Sequence, residues 1–120
     1  MNFLFVFIGG GLGAITRYGI SRLVQTPVSG FPFATFIANV LSCILLGLLL
    51  GWASQKSIDT KSQLLLMTGF CGGFSTFSTF SAESVKLIEQ GQLGLALLYI
   101  GASIAVCMVC IGFGFKLAGV

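Results

Sequence analysis

Histidine is absent from the 120 residues, and only three acids are present, Asp59, Glu83 and Glu89. A catalytic triad, a zinc site or a carboxylate pair cannot be assembled from such parts, which excludes hydrolytic enzymes. Charge of either sign is scarce: 8% of residues are charged, and six Lys and Arg leave a formal net charge of +3. These cations are too few and too scattered to form the basic stripe that a nucleic-acid partner requires. Long aqueous loops are missing, as is the alternation of a β-barrel. The basic start of a cleavable leader is missing too, since the first apolar run leads straight to Arg17 and on to another apolar segment, so it is expected to be structural.

Apolar residues dominate instead, at 56% of the chain with a mean hydropathy of +1.05, so the expected solvent is lipid. Cys43, Cys71, Cys107 and Cys110 all lie inside apolar runs and read as small hydrophobes. Cys107 and Cys110 make a CxxC, but with no histidine and no second ligand pair it supports neither zinc nor thioredoxin chemistry.

A membrane helix needs about 20 apolar residues. Four stretches qualify, roughly 3–24, 33–53, 64–87 and 92–116, and they predict a single all-α transmembrane domain over 1–120. The joints are the turn-rich 26–32, the polar 55–63 carrying Lys56, Asp59 and Lys61, and Glu89-Gln90-Gly91. Short-loop cations orient such chains. Arg17, Arg22 and Lys86 fall on one side, and Lys56, Lys61 and Lys116 on the side of both termini. That tie permits insertion either way up and hence an antiparallel, dual-topology homodimer. Since the chain carries no convincing inverted repeat, such symmetry would lie between subunits.

Glycine patterning separates two uses of the backbone. GGGLGA over 9–14 superficially fits a dinucleotide fingerprint, but no strand precedes it and no acid follows about 20 residues on. Gly9 and Gly13 are read instead as a GxxxG face for close helix packing. The third segment, by contrast, sets GFCGGFSTFSTFS over 69–81, with glycines and five hydroxyls at membrane depth. Gly72-Gly73 predicts a break, which survives there only where it lines a cavity or binds an ion, and the freed carbonyls suit a cation. Phe77 and Phe80 share a helical face, with Ser78 and Thr79 beside them.

Asn39 lies inside the second segment, and Tyr99, Ser103 and Cys107 form a stripe at i, i+4 and i+8 in the fourth. Arg17 falls roughly 21 Å along the first helix at about 1.5 Å per residue, near an interface or vestibule. Hydroxyls, an amide and phenyl edges suit a small anion, with Glu83 the only candidate acid, near a segment end. Neutral donors also bind loosely enough to release it.

GGGLGAITRY over 9–18, FATFIANVLSCILLG over 33–47 and GFCGGFSTFSTFSAE over 69–83 resemble the Fluc fluoride channels, also called CrcB, across nearly the whole chain. The resemblance implies a dual-topology homodimer with two fluoride pathways, each built from both subunits, and a structural sodium ion at the dimer centre. By motif position it implies that Phe77, Phe80 and Asn39 line the fluoride path, with Ser78 and Thr79 adjacent. It further implies that Tyr99 and Ser103 form a polar track, that Arg17 sits in the vestibule, and that Gly72 and Ser75 give backbone carbonyls to sodium. Ser75 stands where the family usually has threonine, a change a carbonyl ligand tolerates. Cys107 stands where a hydroxyl would suit an anion better, since a thiol is a poor donor.

The resemblance thus implies passive fluoride export across a bacterial plasma membrane, the inner one in a Gram-negative cell. A small multidrug-type exporter would match in size and charge balance, but needs a titrating carboxylate in the first segment, which has none. A non-transporting assembly protein would leave the hydroxyl-rich third segment unexplained.

Overall fold

The computed structural model describes residues 1–25 and 30–119. The expected joint at 26–32 is described only from Gly30 onward, its 26–29 part lying outside the described residues. Helix α1 spans Asn2–Leu23, α2 spans Phe33–Ser54 and α5 spans Leu93–Leu117. Each is long and apolar enough to cross a membrane. At about 1.5 Å per residue they match a hydrocarbon core of roughly 30 Å.

The remaining apolar stretch comes in two pieces. Helix α3 runs over 60–74, beginning as Thr60–Gln63, widening to a π-helix over Leu64–Cys71 and closing as Gly72–Phe74. Helix α4 spans Phe77–Glu89. Asp59 starts α3 by accepting the Ser62 amide at 3.0 Å. At the far end of α4, Gly91 adopts φ +77°, and the Gln92 amide reaches back to the Leu87 carbonyl at 2.9 Å, a turn that favours glycine.

The break expected at Gly72-Gly73 lies instead at Ser75-Thr76, both extended (ψ 154° and 124°). Both glycines are helical, but only Gly73 serves packing, since nothing lies within 4 Å of a Cβ placed on Gly72. A Cβ on Gly73 would land on the Gly10 carbonyl, one on Gly9 on the Leu65 carbonyl, and one on Gly13 on the Phe70 carbonyl. Glycines thus seam α1 to α3, as the GxxxG spacing implied. Gly47 and Gly114 seam α2 to α5 in the same manner, each under a backbone carbonyl of the other helix. Helix α4 has no such seam. It rests on an aromatic cluster in which Phe80, Leu87, Ala96 and Tyr99 are buried against Phe31, Phe36, Leu95 and Ile100.

A candidate ion pathway

Unpaired backbone at this depth is costly in lipid, so the break must find its partners within the protein. Asn39 on α2 supplies two: its Oδ1 accepts the Thr76 amide at 2.9 Å and its Nδ2 donates to the Thr76 carbonyl at 3.3 Å. The Thr76 Oγ1 in turn accepts the Thr79 amide at 3.1 Å, capping α4. In a continuous helix those two amides would bond to the carbonyls of Gly72 and Ser75, four residues back. Side chains have taken them, which releases those two carbonyls from the helical ladder. Ser42 and Ser75 hydroxyls donate to the Cys71 carbonyl at 3.2 and 2.8 Å, and Arg17 Nε donates to the Gly73 carbonyl at 3.3 Å.

Beside the break lies a groove of about 250 Å³ lined by Asn39, Phe77, Phe80, Ser103 and Cys107, with Cys43, Ser75, Thr76 and Ile104. No formal charge lines it. The Ser103 residue is 6% exposed, and its Oγ is a buried side-chain atom without a hydrogen-bond partner. Buried hydroxyls are almost always paired, so an orphan aimed at a cavity marks a place where a ligand can complete the bonding. Asn39 keeps one amide hydrogen beyond its bond to Thr76. Phe80 is buried, while Phe77 is 79% exposed, and their rings sit 5.8 Å apart at 46°.

A second cavity, of about 540 Å³, is lined by Arg17, Tyr18, Ser21, Thr35, Thr79 and Glu83, among others. Between the two stands Tyr99. It is fully buried, its ring packs 5.1 Å from Phe80 of the groove, and its hydroxyl donates to Glu83 Oε1 of the second cavity at 3.0 Å.

Asn39, Phe77, Phe80 and Ser103 therefore converge on one groove, whereas Thr79 faces the second cavity with Arg17. Ser78 is exposed and its hydroxyl lies 3.3 Å from Thr76 Oγ1. Tyr99 is core between the cavities, not part of an open stripe. Sequence reasoning missed Thr76, Ser42 and Thr35. A threonine ahead of a helical run is an N-cap signal, as at Thr76, and Thr35, Asn39 and Ser42 repeat at helical spacing along α2, so both were available.

These features define a multi-pass helical membrane protein with a neutral groove at a broken helix. Residues 4–115 match the family described as CrcB-like protein, Camphor Resistance (CrcB), and the chain belongs to that family. The protein named fluoride-specific ion channel FluC 2 of Rhodococcus jostii is 44% identical over 117 residues, covering 98% of both chains. The fluoride-specific ion channel FluC of Flavobacterium psychrophilum is 37% identical over 119 residues, covering 95% of this chain and 94% of that one. The protein of the same name in Thermus thermophilus is 37% identical over 119 residues, covering 98% and 95%. These relatives carry channel names, not enzyme names.

Proposed function

We propose that this chain is a fluoride-selective channel through which cytoplasmic fluoride leaves passively, down its electrochemical gradient, across a bacterial plasma membrane. The observation that carries the proposal is the buried, unpartnered Ser103 hydroxyl in an uncharged groove beside Phe77 and Phe80. A small anion leaving water must regain hydrogen bonds, and Ser103 and the spare Asn39 amide hydrogen offer them. The electropositive edges of the phenyl rings add weak contacts, and their bulk excludes larger anions. Neutral ligands of this kind hold an ion without trapping it. The channel names of the relatives support fluoride as that ion.

Arg17 gathers anions in the second cavity, which acts as a vestibule lined by Thr79 and Glu83. Tyr99 and Phe80 separate it from the groove. The working unit is an antiparallel homodimer. The 79% exposure of Phe77 supports this, because a groove-lining ring left open needs a further wall, and so does the tie in loop charges. A second, inverted copy supplies that wall and yields two pathways per dimer.

The freed carbonyls of Gly72 and Ser75 fit a structural sodium ion, a hard cation that favours neutral oxygen ligands over thiols. When bound, such an ion supplies fixed positive charge beside the break. Asn39 and Thr76 hold the two carbonyls available by occupying the amides that would otherwise cover them.

The test is fluoride efflux from liposomes containing the purified protein, read with a fluoride electrode under a potassium gradient with valinomycin. Fluoride release without chloride release is the expected result. Absence of release from folded protein, or equal release of chloride, would overturn the proposal.

A further inference from the structure

The groove holds two groups that fluoride passage does not use. Cys43 lies one turn beyond Asn39 on α2, and Cys107 one turn beyond Ser103 on α5. Both are free, partly exposed thiols, and both line the same groove. Their helices are locked together at Gly47 and Gly114, so the pair is held by a rigid seam and not by loops. Cys110 does not line the groove. Among the described residues no three His, Cys, Asp or Glu side chains gather closely enough to hold a metal, which rules out a tetrahedral zinc-type site. Two thiols lining one groove, with the unpartnered and nine-tenths buried Ser103 hydroxyl beside them, are instead the parts of a linear site.

We propose that Cys43 and Cys107 form a binding site for a soft, two-coordinate metal cation of the mercuric class, and that occupancy plugs the groove. The chemistry is a ligand exchange with no oxidant. Each S–H bond breaks, its proton passes to water, and a metal–sulfur bond forms in its place. Two protons leave as one divalent cation arrives, so the site stays electrically neutral. A soft monovalent cation held by both thiolates would leave a net negative charge in a low-dielectric wall, which is costly. Hard cations prefer oxygen and do not compete for sulfur. Ser103 adds a weak oxygen contact and keeps its proton.

The plugging arm rests on the proposed channel function, whereas the binding arm does not. Purified C71S/C110S, which retains only the groove pair, and C43S/C107S, which retains only the other two cysteines, are titrated with mercuric chloride in thiol-free buffer. Bound mercury, the ultraviolet sulfur-to-mercury band and maleimide labelling are read in both. C71S/C110S is expected to bind one mercury per chain and to lose labelling at both thiols together. Its fluoride efflux should fall at least roughly tenfold, while the residual efflux of C43S/C107S changes by less than about twofold. Binding of two mercuric ions per groove pair, one on each thiol, or affinity no greater than that of C43S/C107S, would overturn the site. One mercury per chain with fluoride efflux undiminished would overturn the plug alone, and absence of efflux before mercury is added would count against the channel reading.

Discussion

The two pieces of the broken membrane segment are built on opposite principles. Helix α3 is apolar, and its Gly69 and Gly73 lie flush against α1, leaving no room even for a methyl group. Helix α4 carries hydroxyls, rests on aromatic rings and lines both cavities. One piece is an anchor and the other a conduit wall. The sequence that joins them, Ser75-Thr76, belongs to neither and is pinned by Asn39 from α2. The rigid half fixes by backbone contact where the break falls, and so where the wall of the groove begins.

The largest expected effect comes from attacking the anchor. Gly13→Val drives a side chain into the Phe70 carbonyl, and overpacking of this kind costs about 1–3 kcal/mol or more, so little folded protein should survive size-exclusion chromatography. Gly11→Val, where nothing lies within 4 Å, should elute as the parent protein does. If both variants behaved alike, α3 would not be an anchor.

Next is the wall. Phe80→Ile should keep the fold, at a cost of about 1 kcal/mol in a melt, yet lose conduction. Normal flux in that variant would remove the ring from the mechanism. Asn39→Ala strikes the join, leaving the Thr76 amide and carbonyl without their partners, each worth about 1–3 kcal/mol when buried and unmade. Both melting temperature and efflux should fall together.

Ser103→Ala sharpens the contrast most finely. Removing an unpaired buried hydroxyl should leave stability unchanged or raise it by about 1 kcal/mol, while efflux falls. A parallel loss of both would mean that the hydroxyl is structural. The smallest effect is expected at the solvent-facing start of α3. There the Ser62 side chain and backbone amide hold the Asp59 carboxyl below the usual carboxylate range. A depressed value means that its contribution is present at pH above the ordinary carboxylate pKa and is lost as pH falls through the lowered one. Asp59→Asn should flatten that acid-limb dependence slightly in melts recorded across pH, and the group is fully exposed, so the change will be slight.

Much of this was legible in the sequence because lipid imposes strong rules. Apolar runs of membrane length located α1, α2 and α5, and the Gly9 and Gly13 spacing identified the packed face. Asn39 and Ser103 stand out in the sequence as polar residues at membrane depth, whereas their meeting with Phe77 and Phe80 in one groove is a matter of tertiary packing. The position of the break was not. Glycine in water argues against helix, but in lipid it serves close approach as readily, and Gly73 takes that second role against Gly10. What ends α3 at Ser75 is a side chain 37 residues away, Asn39, which no local pattern reveals. The Tyr99, Ser103 and Cys107 stripe gives a helical face but not its depth, and along it Tyr99 is fully buried while Ser103 and Cys107 line the groove. Ser78 and Thr79 were read as a pair, yet adjacent helical residues point about 100° apart, and only Thr79 reaches a cavity.

The gap between α3 and α4 also has an electrical meaning. Peptide dipoles aligned along a helix leave its C-terminal end partially negative and its N-terminal end partially positive. Where α3 stops and α4 starts, one break therefore presents both polarities within two residues, Ser75 and Thr76. Side chains answer both ends: Arg17 donates to the Gly73 carbonyl at the negative end of α3, and Asn39 and Thr76 accept the amides at the positive end of α4. The opposed helix ends thus meet across one short gap with their partial charges met by three side chains, Arg17, Asn39 and Thr76.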